Sequence, residues 1–212
     1  THDIVLLGIN ARYRHTSFGL RYLKANLGAL EARSVLVETT IVQTPMRIVE
    51  LVLAHNPRIV GLGVYVWNTT ICHQVAQLLK TIRPDIHLVL GGPEISYEVE
   101  CQPLYGVADF IVRGEGESAF TRLCTDLLEG QSVAEKVIQG SALPMEELAS
   151  PYRLYTDEDI ANRVTYVEAS RGCPYRCQFC LSSLDKAVRT VNPEAFFADM
   201  NDLIERGARD FK

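Results

Sequence analysis

The sequence has no basic surplus: Lys and Arg number 21 against 26 Asp and Glu, for a net charge of −5. Binding along a nucleic-acid backbone needs clustered positive charge, so the chain as a whole argues against a nucleic-acid partner. The local exception is Arg12, Arg14 and Arg21, which lie close together. There is no long apolar run either. The longest, IVGLGVYVW (59–67), falls far short of the ~20 residues of a membrane-spanning helix, and no membrane partner is expected. The opening THDIVLLGIN lacks the basic start and cleavage site of a secretion signal. Tryptophan occurs once, and neither low-complexity segments nor repeats beyond strand–helix alternation are present. Cysteine is sparse at six, yet three of the six crowd into RGCPYRCQFC (171–180), which is unlike a secreted disulfide framework. The expected location is the cytoplasm.

The first 130 residues alternate strand and helix signals. Continuous apolar or β-branched runs at 3–9, 34–42, 58–66, 87–92 and 108–117 read as buried strands. Between them, apolar residues at helical spacing mark 18–31, 45–55, 68–82 and 118–130, with Pro45 suited to a first turn, Asn68 as a cap and Gly130 as a stop. Short connections between alternating elements imply parallel strands with right-handed crossovers. The expected first domain, 1–130, is therefore an α/β doubly wound, Rossmann-like parallel sheet. Residues 131–162 read as a linker lying over a surface. RVTYVEAS (163–170) reads as a new strand, and NPEAFFADMNDLIERGA (192–208) as a helix with Asn192 as cap and Gly207 as stop, so that a second βα series starts at 163.

Cys173, Cys177 and Cys180 form C-x3-C-x2-C on the loop after that strand. Crowded thiolates repel and oxidise unless a metal or cluster neutralises them. A structural zinc site takes four protein ligands, and residues 181–212 hold no further cysteine or histidine. Three cysteines on a cubane iron–sulfur cluster leave one iron open to another ligand. The bland alternatives are a structural zinc knuckle and three incidental cysteines. The remaining cysteines, Cys72, Cys101 and Cys124, are expected to be small buried hydrophobes.

This spacing, with Phe179 before the third cysteine and a strand before the loop, resembles the signature of the radical S-adenosylmethionine superfamily. The resemblance implies Cys173, Cys177 and Cys180 as ligands of a [4Fe–4S] cluster and Phe179 beside the adenine of S-adenosylmethionine. It implies electron transfer that cleaves the sulfonium and releases a 5′-deoxyadenosyl radical, an electron donor such as flavodoxin or ferredoxin, and the start of a radical S-adenosylmethionine (β/α) barrel in 163–212. As that barrel segment is short, this stretch of chain alone is expected to be inactive.

Doubly wound sheets bind ligands at the carboxyl ends of their strands, and the loops there are unusual. NARYRHTSFG follows the first strand with Asn10, Arg12, Tyr13 and His15, and YVWN follows the third with Tyr65 and Trp67. GGPEIS follows the fourth with Gly91, Gly92, Pro93 and Glu94, and RGEGES follows the fifth with Gly114, Glu115, Gly116 and Glu117. Paired glycines allow backbone to approach a ligand, and helix N-termini offer amides. Upstream of a cysteine loop, the GGPE and RGEGE segments resemble the cobalamin-binding radical S-adenosylmethionine enzymes. Cobalamin modules carry D-x-H-x-x-G after the first strand; here Asn10 and Arg12 take the D-x-H positions, and His15 lacks the accompanying Asp and Gly. The resemblance thus implies cobalamin held by the loops without a His lower ligand, and methyl transfer or another radical transformation of a small molecule. Two other readings stay open: a tRNA methylthiotransferase-like enzyme, and a ligand-binding module with a structural metal site.

Overall fold

The computed structural model describes residues 2–180, 185 and 187–212. The chain divides into two compact units, Thr1–Ala142 and Leu143–Lys212.

The first unit is the expected doubly wound fold. Strands β1 (Ile4–Asn10), β2 (Ser34–Thr40), β3 (Ile59–Gly63), β4 (His87–Gly91), β5 (Phe110–Arg113) and β6 (Val137–Gln139) form one sheet in the order β2-β1-β3-β4-β5-β6. Every pairing is parallel. Helices α1 (Phe18–Ala25), α2 (Pro45–Leu53), α3 (Thr69–Ile82) and α4 (Glu117–Leu128) supply four of the five crossovers, and short 3₁₀ turns between residues 94 and 106 join β4 to β5. All seven residues of β1 and all five of β3 are buried, because both sheet faces are covered. One apolar cluster joins Val5, Leu7, Val60 and Leu62 to Ile48 and Val52 of α2 and Val75 and Leu79 of α3. The other joins Ile4, Leu6 and Ile59 to Leu20 of α1 and Phe120, Leu123 and Leu127 of α4. Alternate residues of a strand point to opposite faces, which is why neighbours such as Val5 and Leu6 enter different clusters.

Three differences from the sequence reading have local causes. The helix expected over 18–31 ends at Ala25 and resumes as a tight turn over Gly28–Arg33, because Gly28 has φ +55° and turns the chain left-handed. Residues 131–142, expected as linker, contribute β6, a sixth strand that pairs with β5. Cys101 is exposed rather than buried, whereas Cys72 and Cys124 are fully buried in α3 and α4. Burial pushes the Cys72 thiol up to about 12 and raises that of Cys124 as well. Brief alkylation at mildly basic pH, read by mass spectrometry, is therefore expected to modify Cys101 and to spare Cys72 and Cys124 until the chain is denatured.

In the second unit, α5 (Asp157–Asn162) starts with a reciprocal capping box between Thr156 and Asp159. Helix α6 (Pro193–Glu205) starts as the sequence implied: the Asn192 side chain accepts from the Glu194 and Ala195 amides, Pro193 fills the first turn, and Gly207 takes φ +104° beyond the end. The continuous strand expected over 163–170 is not formed. Thr165 pairs with Phe211 in parallel sense, and Ser170–Arg171 (β7) pairs instead antiparallel with Arg189–Thr190 (β8). On the side that carries the Thr165 and Val167 amides the partner changes from one segment to another, from Lys212 at Val167 to Val191 at Ala169, which breaks the ladder. These short pairings do not by themselves make a barrel. Among the described residues, no helix is long and apolar enough to cross a membrane.

Candidate functional site

The strand order reverses direction between β1 and β3, so their carboxyl ends flank the topological switch point. Asn68 sits there, 1% exposed. The sequence suggested it as a helix cap, but its side chain makes no cap bond. Its Nδ2 donates to the Ile9 carbonyl (3.0 Å) and the Gly63 carbonyl (3.1 Å), and its Oδ1 accepts from the Tyr65 amide (2.8 Å). One amide thus ties the ends of both central strands to the start of the β3–α3 loop.

A second buried network shapes the β1–α1 loop. Asn10 donates to the His15 carbonyl (2.9 Å) and to Glu38 Oε1 (3.0 Å), and its Oδ1 accepts from Ser17 Oγ (2.9 Å). Glu38, on β2, accepts at Oε2 from Arg21 Nη2 (2.8 Å), and that guanidinium is only 1% exposed. The loop is thereby pinned at both ends, at Asn10 and at Ser17, with Arg12, Tyr13 and Arg14 exposed between them and His15 half-buried. Gly8 is required beneath it, because a Cβ there would lie 2.0 Å from Ser17 Oγ. Asn10, a candidate ligand contact in sequence, also has its side-chain oxygen and nitrogen bonded within this network.

The β3–α3 loop presents an aromatic pair. Tyr65 and Trp67 stack with ring centroids 4.5 Å apart and planes 11° from parallel. Trp67 is about half exposed while Tyr65 is half-buried, and burial raises the Tyr65 phenol above its ordinary value. The β4 loop packs against this one. Val64 donates its amide to the Gly91 carbonyl (2.7 Å). Gly92 takes φ +109°, and a Cβ on it would lie 2.5 Å from the Val64 carbonyl oxygen, so the close approach excludes any side chain. Pro93 is exposed and Glu94 half-buried. Ser96 Oγ donates to the Gly92 carbonyl (2.8 Å), and Arg113 Nε to the Ser96 carbonyl (2.7 Å), which links the β4 loop to the end of β5.

Gly114 is exposed with φ +73°, Glu115 and Gly116 are half-buried, and Glu117 is buried in the first turn of α4. An acidic residue there complements the helix dipole. Gly140, which follows β6, lies so close to the Glu115 carbonyl that a Cβ would come within 1.8 Å of it. The loops after β1, β3, β4 and β5 thus meet along one sheet edge and offer glycine backbone, a stacked aromatic pair and mixed charge. The organisers, half-buried Glu38 and buried Arg21, Ser17 and Asn68, were not legible as such. The only hint was an Arg and a Glu within otherwise apolar or β-branched stretches.

The cysteine loop lies in the second unit. Its base is closed by the β7–β8 pairing and by the Cys173 amide donating to the Asp185 carbonyl (2.9 Å). Gly172, at φ +86°, allows the Ala187 carbonyl to lie 2.3 Å from where a Cβ would be. Cys173 and Cys180 are half-buried, Cys177 is exposed, and Phe179 is 95% exposed. The structure places all three thiols on one loop without drawing them into a metal-ready set: among the described residues, no three His, Cys, Asp or Glu side chains form a group that could hold a metal ion.

The family model described as "B12 binding domain" matches residues 4–124, which span β1 to α4. The chain belongs to the B12-binding domain family. Among curated relatives, the 2-(S-pantetheinyl)-carbapenam-3-carboxylate methyltransferase of Streptantibioticus cattleyicolor is 31% identical over 73% of this chain and 27% of its own. The cobalamin-dependent radical SAM methyltransferase TokK of Streptomyces tokunonensis is 32% identical over 59% of this chain and 22% of its own. The chain therefore spans about a quarter of the length of these relatives. In fold it is similar to the radical S-adenosylmethionine methyltransferase TsrM of Kitasatospora setae, solved with cobalamin and a [4Fe–4S] cluster bound. That likeness has a TM-score of 0.68 at 16% identity and covers 100% of this chain and 47% of the other.

The strand-end loops offer what a corrinoid would need in order to rest there, glycine backbone and an aromatic surface. His15, the sole imidazole in the strand-end loops, has its backbone engaged on both sides, its amide with Arg12 and its carbonyl with Asn10. The glycines of the β4 and β5 loops keep side chains away from the edge.

Proposed function

We propose that this chain is the cobalamin-binding part, with the cluster loop, of a cobalamin-dependent radical S-adenosylmethionine enzyme that methylates a small molecule. The observation that carries the reading is the succession, in one chain, of a B12-binding domain over 4–124 and a C-x3-C-x2-C loop at 173–180. The relatives' names and the glycine-lined sheet edge support it.

In this reading Cys173, Cys177 and Cys180 hold the cluster, and Phe179 packs on the adenine of S-adenosylmethionine. Cobalamin rests on the loops that carry Arg12, Tyr13, His15, Tyr65, Gly91 to Glu94 and Gly114 to Glu117. When bound, the cluster, S-adenosylmethionine and cobalamin would together supply the radical and the methyl group. The protein's part is to hold and orient them and to keep water out. The Gly92 and Gly114 turns let main chain approach a large planar ligand, and the Tyr65–Trp67 pair offers it an apolar face. In this reading the loops, and not a histidine, would hold the corrinoid, as Asn10 and Arg12 stand at the D-x-H positions. An electron-transfer protein of the flavodoxin or ferredoxin kind supplies the reducing electron.

Titration of this chain with hydroxocobalamin, followed by gel filtration, should give co-eluting cobalamin at one equivalent, and His15→Ala should leave the bound spectrum unchanged. Cobalamin that separates from the chain would defeat the proposal, and a spectral change in His15→Ala would restore a histidine ligand. Anaerobic reconstitution of the full-length enzyme with iron and sulfide tests the other half: Cys173→Ala, Cys177→Ala and Cys180→Ala should each abolish retained iron.

A further inference from the structure

Residues 164–168 run extended, and their two hydrogen-bonding edges are satisfied in different ways. On one side the Thr165 amide donates to the Asp210 carbonyl (2.8 Å), the Val167 amide to the Lys212 carbonyl (2.9 Å), and the Lys212 amide to the Thr165 carbonyl (3.1 Å). That is ordinary pairing with a parallel neighbour. On the other side the partners are two tyrosine hydroxyls. Tyr155 Oη accepts from the Tyr166 amide (3.0 Å) and donates to the Tyr166 carbonyl (3.0 Å). Tyr152 Oη accepts from the Glu168 amide (2.9 Å) and donates to the Glu168 carbonyl (3.3 Å).

The match has a geometric origin. Tyr152 and Tyr155 stand three residues apart on a tight turn, closed by the Tyr155 amide to the Tyr152 carbonyl (3.2 Å). Side chains three apart on a 3₁₀ turn eclipse one another with a rise of about 6 Å. Alternate residues of a strand are spaced by about 6.6 Å. Two hydroxyls on such a turn therefore meet two successive outward-facing residues of a strand. A hydroxyl both donates and accepts, so each one replaces the amide and the carbonyl that a neighbouring strand would provide. Both side chains are buried, Tyr152 at 4% and Tyr155 at 1% exposed. Burial pushes the Tyr152 phenol up to about 12, which keeps its proton in place as a donor. The turn is itself anchored to α6: Ser150 Oγ donates to Asp199 Oδ2 (2.8 Å), Arg206 donates to the Tyr155 carbonyl, and the Tyr152 ring meets Phe196 edge-on.

We infer that Tyr152 and Tyr155 are positioning residues that cap the outer edge of the 164–168 segment in place of a strand. They hold the side of it that faces away from 210–212 and, with it, the path by which the chain enters the loop of Cys173, Cys177 and Cys180. An uncapped strand edge invites pairing with foreign strands, and this device closes it without adding one. The link to the cluster rests on the function proposed above; the cap itself does not.

Amide hydrogen exchange on this chain tests it. Tyr155→Phe should speed exchange at Tyr166 at least tenfold and leave Thr165 and Val167 unchanged. Tyr152→Phe should do the same at Glu168. A merely structural loss would move all four amides together, so a uniform change, or none, overturns the inference. Should either variant fail to fold, the unaltered chain decides: slowly exchanging hydroxyl protons of Tyr152 and Tyr155, close in space to the Glu168 and Tyr166 amides, are expected, and their absence overturns the cap. In the iron- and sulfide-reconstituted full-length enzyme, both variants should lose retained iron faster than the parent. Unchanged retention in the variants would remove the link to the loop, whereas a parent that never retains iron would count against the proposed function instead.

Discussion

Glu38→Ala is expected to destabilise the first unit by about 3–5 kcal/mol, the cost of removing one partner from a buried ion pair. Arg21 is 1% exposed and its charge faces Glu38 at 2.8 Å, so without the carboxylate a guanidinium is left deep between α1 and β2. The same substitution releases the Asn10 amide and the Ser17 backbone, both held by Glu38. Denaturant unfolding of the variant should show a lower midpoint. Replacing both partners together, Arg21→Met with Glu38→Leu, should recover much of the loss, because an apolar pair leaves no charge to desolvate. The exposed Arg33–Asp3 pair is the control. Its side chains are 47% and 32% exposed, and Asp3→Asn should cost no more than about 1 kcal/mol. Equal losses at Glu38 and Asp3 would refute the distinction.

Gly92→Ala should be nearly as damaging. A left-handed backbone costs a residue with a Cβ about 1–3 kcal/mol. At Gly92 the new atom would also meet the Val64 carbonyl at 2.5 Å and the Val64 nitrogen at 3.0 Å, both backbone and unable to rotate away. Gly130 separates the two contributions: it has φ +76° but nothing within 4 Å of a Cβ. Thermal unfolding should therefore rank Gly92→Ala below Gly130→Ala, with Gly130→Ala modestly below the parent. In the proposed function, Gly92→Ala also distorts the β3 and β4 loops together, and cobalamin retention should fall with it. An intact melting temperature in Gly92→Ala would contradict the packing described here.

The sheet was legible because parallel strands buried on both faces are written as unbroken apolar runs, as in IVLLGI and IVGLG. The border strand β6 was not, since three residues at a sheet edge, two half-buried and Gln139 exposed, carry no such run. Helix ends were legible wherever side-chain chemistry specifies them, as at Asn192 and Pro193. They failed where tertiary context took over: Asn68 resembles a cap in sequence, and only the meeting of β1 with β3 gives its amide other partners. Glycine clusters marked the loops that converge on the sheet edge. The residues that hold those loops in shape did not stand out, because Glu38 lies 28 residues from Asn10 and 17 from Arg21, and pairing across such distances is a property of the fold.

The clasp at the foot of the cysteine loop has an energetic consequence. Bringing the ends of a flexible loop together costs conformational entropy that grows with the logarithm of its length. Here the antiparallel pairing of Ser170–Arg171 with Arg189–Thr190, the Val191 amide on the Ala169 carbonyl and the Cys173 amide on the Asp185 carbonyl have already joined those ends. In the proposed function, an incoming cluster would need only to gather the sulfurs, so its binding free energy would not be drained by ring closure, and assembly could follow folding rather than having to drive it.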